Sequence, residues 1–523
     1  MTRDIVLCVS PEVAAQESKL HAKLESLHEL RDMKINNFRI LRNSIDSRRG
    51  TPKINLTIRV SDEDGPIKIP YNPHLYKKIP ENARQIVIVG AGPAGLFAAL
   101  KAIELGLKPI VIERGKDVES RRVDIAEISR QHKIDPESNF CFGEGGAGTY
   151  SDGKLYTRSK KRGNVREVLE ILHQFGASDD ILVNSHPHIG SDKLPKVIKN
   201  IREKIRECGG EVKFGCRMDD LIIENNKAVG IITSKGEKII GPVFLGIGHS
   251  ARDTVKMLHQ KGVKMESKGL AIGVRLEHPQ HLIDQIQYHS RQGRGKWLPA
   301  AEYSFVTQSQ GRGVYSFCMC PGGVIVPSPS APGEMVVNGM SASARSGKWA
   351  NSGLVVEIRP GDIPEYSEKG EFEMLSLQED LERKFFHEGN GTLNAPAQRM
   401  TDFIKGKKSE TLPKTSYAPG IHAASFNELF PKEISSRLQE GFKEFGRKSP
   451  GFLTDDGIMI GLESRTSSPI RIPRDEDSLC HIEILDLYPM GEGSGYAGGI
   501  VSSAIDGQRC VESYYKKINP ECP

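Results

Sequence analysis

The segment RQIVIVGAGPAGLFAALKAIELGLKPIVIERG, residues 84–115, limits the possible folds more than any other stretch of the chain. Ile86–Val89 is an apolar, β-branched run, as a strand buried on both faces requires. Gly90, Gly92 and Gly95 follow as G-x-G-x-x-G, with Pro93 and Ala94 opening a helix-forming stretch that runs through Leu96–Leu105. Gly106 closes that helix, and Lys108–Ile112 predicts a second strand ending at Glu113 and Arg114. Gly90 permits the tight turn, Gly92 lets backbone approach a pyrophosphate, and Gly95 lets helix and strand pack closely. The helix N-terminus then meets the diphosphate with free N–H groups and the positive end of its dipole. Glu113, twenty-one positions after Gly92, is placed for ribose hydroxyls. Its charge would repel a 2′-phosphate, so NAD or FAD is expected rather than NADP in this unit. A glycine turn in an ordinary α/β domain is the competing reading.

At 523 residues the chain exceeds what one core organises, and two or three domains are expected. A mean hydropathy of −0.39, with no run of about 18 apolar residues, excludes a helical membrane protein. The opening MTRDIVLCVSPEVAAQ lacks an export signal, so a cytoplasmic location is expected. The nine cysteines are scattered and expected to be reduced. The net charge of +5 names no nucleic-acid partner by itself.

Near the other end, ILDLYPMGEGSGYAGGIVSSAIDGQRCVESYY predicts strand, glycine-rich turn and an amphipathic helix from Ile500 to about Tyr514. Gly491, Glu492, Gly493, Tyr496, Ala497 and Gly498 occupy the turn, and the helix N-terminus beyond them can stabilise negative charge. This segment resembles the late unit of glutathione-reductase-like flavoproteins that holds the ribityl phosphate and faces the flavin ring. Between the two ends, PVFLGIGHSARDT (242–254) resembles the strand by which such domains return to the cofactor, with Gly248 at its end. Gly246, Gly248 and Ala251 also read as G-x-G-x-x-A, the opening of a second nucleotide domain, but no further βαβ series follows. In the same class the strand after a helix–GG turn lies against adenine, which implicates Arg217 and Met218.

The loop CFGEGGAGTYSDGKLYTR (141–158) lacks the spacing of a P-loop, since Leu155 follows Lys154 where Ser or Thr is required. Some 50 residues beyond a dinucleotide fold, it reads as a loop along the flavin's phosphates, ribityl chain and ring edge. Gly145, Gly146 and Gly148 would allow close approach, and Ser151, Gly153 and Lys154 would supply donors.

With GAGPAGL (90–96), NFCFGEGGAGTYSDGKLYTR (139–158), HPHIGSDKL (186–194), GHSARDT (248–254), FCMCPGG (317–323), NGMS (338–341), ANSGLVV (350–356) and GEGSGYAGGI (491–500), the chain resembles an uncharacterised family of FAD-dependent dehydrogenases. That family belongs to the two-dinucleotide-fold flavoproteins. The resemblance implies an α/β fold: a Rossmann-like FAD-binding domain built from discontinuous segments, an inserted α+β substrate domain, and a small N-terminal α+β domain. The corresponding boundaries are 1–80, 81–265, 266–454 and 455–523. It implies FAD as cofactor, with NAD(P)H a possible transient donor.

The N-terminal unit is expected to hold a strand at Asp4–Val9, a helix from Pro11 to Leu30 capped by Ser10, a short helix near Phe38–Ser44 and a strand at Lys53–Val60. Pro66, Pro70, Pro73 and Pro80 mark a linker. Eight basic residues (Arg31, Lys34, Arg39, Arg42, Arg48, Arg49, Lys53, Arg59) face only Asp32 and Asp46 in this stretch. They form a solvated face or an RNA-binding one, although Phe38 is the only aromatic available for stacking.

In the middle region, Cys318 and Cys320 form C-x-C. One intervening residue strains a disulfide ring, so a tight buried turn is expected ahead of a redox pair or zinc. Cys141 is a lone thiol with no evident base. His186 and His188 lack the partners of a metal site, and none is expected; either could donate a proton at the site mouth. Lys154 and Arg345 could hold an anionic substrate. The reading is a flavoenzyme acting on a small-molecule substrate, with no membrane partner. The alternative is an FAD-dependent RNA-modifying or RNA-binding protein that uses the basic N-terminal unit.

Overall fold

Strand Gln85–Val89 is the centre of a five-stranded parallel sheet in a computed structural model that describes residues 1–48, 50–157 and 163–521. Arg49 and Arg158, both part of the sequence reading, lie outside the described residues. The sheet runs Leu487–Pro489, Val243–Leu245, Gln85–Val89, Lys108–Ile112, Glu211–Lys213, and every neighbouring pair is parallel. The FAD-type domain is therefore discontinuous, because its edge strand comes from residues 487–489 and pairs with 243–245. The strand ending at Leu245 belongs to this same sheet, so the glycines at 246 and 248 open no second nucleotide domain.

Helix Pro93–Glu104 returns the chain from the first strand to the second and is buried along most of its length. Helix Ile500–Ile518 packs directly on it. The two meet at Gly507, where a β-carbon would collide with the carbonyl oxygen of Ala94. A three-stranded antiparallel sheet, Met218–Glu224, Lys227–Thr233 and Lys238–Ile240, follows strand Glu211–Lys213.

The inserted part is a larger sheet with strand order 306–309, 312–327, 349–358, 270–279, 458–463, 395–399, 421–423; strand 337–340 pairs at its side. It is antiparallel apart from the pairing of 395–397 with 421–423. Helices Glu373–Glu388 and Lys432–Lys448 pack on it around a phenylalanine-rich core. Strand Ile458–Glu463, placed by the sequence reading in the last FAD-domain segment, pairs instead with Leu270–Pro279 and Ala395–Arg399. Its six residues are all buried, which a place between two strands under helices requires.

In the N-terminal unit the expected short helix near Phe38–Ser44 is a strand, Asn37–Asp46, paired antiparallel with Lys53–Ser61. Tertiary pairing overrides local pattern here: Lys53–Ser61 has its own apolar face to bury, and it lies between Thr2–Val9 and Asn37–Asp46. The expected long helix from Pro11 is broken into Pro11–Ala15 and Glu17–Glu25, with a 3₁₀ turn at His28–Leu30. Ser10 caps the first piece as expected, its hydroxyl accepting from the Val13 N–H. Among the described residues, no helix is long and apolar enough to cross a membrane.

Candidate functional site

The glycine turn, the 141–158 loop and the C-terminal turn converge on one cleft of about 390 Å³, within the ~300–1,000 Å³ typical of cofactor and ligand sites. Each wall follows from local sequence. Gly90 takes φ +99, and a β-carbon there would collide with the Gly246 carbonyl. A β-carbon at Gly95 would collide with the Gly90 carbonyl, so Gly95 supports helix–strand packing and does not line the cleft. At Gly92 the nearest atom would be 3.9 Å away, and at Gly248 and Gly498 nothing lies within 4 Å. These three glycines therefore present bare backbone to open space along the cleft.

Helix Pro93–Glu104 starts at Gly92 without a side-chain cap, and Ile500 begins the second helix at the same cleft. Two helix N-termini with unfilled N–H groups fit the phosphates of a dinucleotide. The donor set and the glycine cradle fit FAD.

Glu113 lines the cleft, but its carboxylate is already engaged. Oε2 accepts from Ala91 N–H at 2.9 Å, and Oε1 accepts from Gly115 and Gly143 N–H at 2.9 Å each. It thus locks the glycine turn to the 141–158 loop and retains a lone pair on Oε2 for a ribose hydroxyl. Arg114 also lines the cleft, with its guanidinium 4.1 Å over the Phe142 ring and paired to Glu137 and Asp253. Burial opposes its charge, but those two carboxylates hold it protonated.

Of the remaining expected cofactor contacts, Pro93, Ala94, Gly146, Gly148, Ser151, Gly153, Lys154, Met218, Gly491 and Glu492 line the cleft. Gly145, Gly493, Tyr496 and Ala497 do not. Gly145 takes φ +78 and would clash with Thr149, while Gly493 packs on the Gly248 backbone. Tyr496 turns away: its hydroxyl accepts from Arg474 N–H at 3.0 Å, and the Arg474 guanidinium lies 3.8 Å over its ring. Ala497 N–H closes the turn onto Gly491 O at 3.2 Å.

The expected catalytic residues need correction. Arg345 is buried and its guanidinium is spent on Asp152 and Glu302, so it is no free anchor for an anion. Asp152 does line the cleft, which makes Arg345 a positioning residue for it. Burial would raise the Glu302 carboxyl, but its hydrogen bond to His186 and the charges of Lys154 and Arg345 hold it down at about 2. His186 is exposed, 3.6 Å from Glu302 and against Tyr156, outside the cleft. His188 shares a bridge with Lys154 and has its Nε2 3.1 Å from Ser343 O; burial, aided by Arg345, holds it below the usual histidine range. It too lies outside the cleft. Lys154 lines the cleft with its ammonium donating to Met319 O.

Sequence reasoning missed Glu463, Arg465 and His249, all of which line the cleft. Glu463 ends an otherwise apolar strand, and a buried acid in such a run is the signal that could have found it. Burial lifts its carboxyl to about 7 even though Arg275 Nη1 stands 3.0 Å away. Arg465 donates to Cys141 Sγ at 3.3 Å, and pairs with Glu334 at 2.7 Å and Glu382 at 2.8 Å. His249 has a buried Nδ1 without a hydrogen-bond partner, 3.6 Å from Glu492.

Three family models match the chain. The family described as "FAD binding domain" matches residues 85–127, "FAD-dependent protein, C-terminal domain-like" matches 269–466, and a domain of unknown function matches 1–61. The fold and these matches support an FAD-dependent enzyme. An uncharacterized protein of Clostridium beijerinckii is 42% identical over 439 residues, covering 83% of this chain and 81% of its own. The chain belongs to the same family as that relative.

Among solved structures, a geranylgeranyl bacteriochlorophyll reductase-like protein from Thermoplasma acidophilum aligns with 13% identity and a TM-score of 0.34, over 84% of this chain and 80% of that one. The flavin-dependent brominase Bmp2 aligns with 14% identity and a TM-score of 0.36, over the same shares. At that distance neither bears on the reaction.

Proposed function

We propose that the protein is an oxidoreductase that passes two electrons between a small-molecule substrate and a second partner through FAD held in this cleft. The observation that carries the reading is that one cleft is lined by both parts of the molecule. The nucleotide fold contributes Gly92, Ala94 and Ile500; the inserted sheet contributes Phe317, Cys318, Asn338 and Glu463. Bound FAD would supply the two-electron chemistry.

The chain's own residues do the rest. The uncapped N–H groups at Ala94 and beyond Gly499 bind phosphate and stabilise negative charge. The inserted-sheet residues confine the substrate beside the cofactor. The Glu463 carboxyl, poised near 7 by burial against Arg275, holds or releases a proton at neutral pH. Lys154 and Asp152, fixed by Met319 O and Arg345, provide polar contacts for a substrate.

In the basic N-terminal unit, Arg39, Arg48 and Arg59 are engaged by Asp179, Asp46 and Asp4, which reduces the charge left for an RNA backbone. A small-molecule substrate is therefore the reading we adopt. The test is anaerobic mixing of the FAD-loaded protein with NADH, NADPH and a metabolite panel, following the oxidised-flavin absorbance. Bleaching by a metabolite or a nicotinamide is the expected result and fixes the direction of electron flow. A flavin that none of them bleaches would sink the proposal.

A further inference from the structure

Two thiols stand where strand Arg312–Pro327 meets the cleft. Regular strand geometry would place residues 318 and 320 on one face about 6.6 Å apart along the chain. That is too far for a disulfide, whose β-carbons sit about 3.8 Å apart.

The strand is not regular here. Its register against Trp349–Ile358 slips between Phe317 and Cys320, and Cys318 takes the left-handed conformation with φ 46. For a residue with a side chain that conformation costs about 1 kcal/mol or more, and such strain collects at functional sites. At the resulting kink Cys320 Sγ donates to the carbonyl oxygen of Cys318 at 3.4 Å, which folds the two side chains of the C-x-C turn back on each other. Cys318 lines the cleft, and Cys320 is fully buried.

One buried cation serves both. Arg275 Nη2 donates to the carbonyl oxygen of Cys318 at 2.6 Å and to the sulfur of Cys320 at 3.3 Å, while Nη1 holds Glu463 at 3.0 Å. The contact with Cys320 pulls the Cys318 thiol down against its burial, and Arg275 and Lys154 add to the effect. The same contact, together with burial, pushes Cys320 up. The negative charge of the reduced pair is therefore favoured on Cys318 over Cys320.

We infer that Cys318 and Cys320 form a redox-active dithiol–disulfide couple that exchanges an electron pair with the flavin in the cleft. This rests on the FAD reading above. In the forward step the Sγ–Sγ bond accepts two electrons from singly protonated reduced flavin and breaks. Cys320 sulfur takes the proton that the reduced flavin carried, Cys318 sulfur keeps the negative charge, and the flavin is left oxidised. Charge and protons balance with no further reactant. The ring strain imposed by a single intervening residue makes such a disulfide easy to reduce, a property of catalytic and regulatory pairs and not of structural cross-links.

The test is an anaerobic dithionite titration of the FAD-loaded protein after oxidation with glutathione disulfide. Wild type is expected to take up two electron pairs per flavin, and Cys318→Ser and Cys320→Ser one pair each. One pair in wild type overturns the couple. A second measurement needs neither the variants nor the flavin. After denaturing alkylation without reductant, the oxidised protein should yield the peptide carrying both cysteines unalkylated and two hydrogens lighter. After full reduction the same peptide should be doubly alkylated. Alkylation of both thiols in the oxidised sample overturns the couple. A colourless protein would count against the FAD reading, whereas a yellow one taking up a single pair counts against the thiol couple alone.

Discussion

Gly92 and Gly95 belong to one motif and do different work. A methyl at Gly92 meets nothing closer than 3.9 Å, whereas at Gly95 it runs into the Gly90 carbonyl. Gly92→Ala should therefore fold with a loss of about 1 kcal/mol or less, typical of Ala at a helix start. It should still bind FAD at least about tenfold more weakly, a loss of roughly 1.4 kcal/mol. Gly95→Ala should lose about 1–3 kcal/mol of stability as well, the usual cost of overpacking. Urea unfolding of the apoprotein and flavin content on purification separate the two. Glu463 makes a second residue-scale prediction. Its folded value of about 7 lies above the ordinary 4.5, so the folded state binds more protons between those limits. Its stabilising contribution is complete below about 4.5 and lost as pH rises through 7. Wild type should lose stability between pH 5 and 8 relative to Glu463→Gln, read as denaturant midpoints. The glycines were legible in the sequence because spacing alone encodes a turn. Glu463 was not, because its value is set by burial within the packed sheet, opposed by Arg275 from a strand nearly two hundred positions away.

At the scale of elements, the contact between helices Pro93–Glu104 and Ile500–Ile518 sets the position of both N-termini at the cleft. Gly507 permits that contact, since any β-carbon there meets the Ala94 backbone. Gly507→Leu should cost about 1–3 kcal/mol through overpacking. It should also weaken FAD binding, because the helix ends separate; thermal melts with and without added FAD would show a reduced flavin-induced shift. Both helices and the strands before them were readable from apolar runs and glycines. Strand Asn37–Asp46 was not, since only its pairing with Lys53–Ser61 distinguishes it from a short helix. The two histidines of SHPHIGSD look chemically active in sequence, yet the fold leaves His186 facing outward and fastens His188 to Ser343 O.

For the whole molecule, the decisive feature is the ionic clamp between nucleotide fold and inserted sheet. Arg252, on the helix after Gly248, pairs with Glu334 at 3.0 Å and Glu382 at 2.9 Å, and Arg465 pairs with the same two acids. Burial alone would raise the Glu382 carboxyl, but the two guanidinium groups outweigh it and hold it at about 2. This is a depressed acid, so its contribution is present above about 4.5 and is lost as pH falls towards 2. Wild type should weaken across that window, and Glu382→Gln should show a flatter acid limb with about 3–5 kcal/mol less stability at neutral pH. Circular-dichroism unfolding from pH 3 to 7 checks both. The sequence by itself determined the parallel nucleotide fold and its glycine turn, because glycine spacing and apolar strand runs act over a few residues; FAD and the split of the domain came from the family resemblance. Only the tertiary structure decided which charges are free and which are spent: Arg345 and Glu113 were engaged, Glu463 was raised, and Cys318 took a left-handed bend at the cleft. Those outcomes depend on desolvation and on partners that the fold brings together, Arg275 to Glu463 and Asp152 to Arg345 among them, which no local pattern encodes.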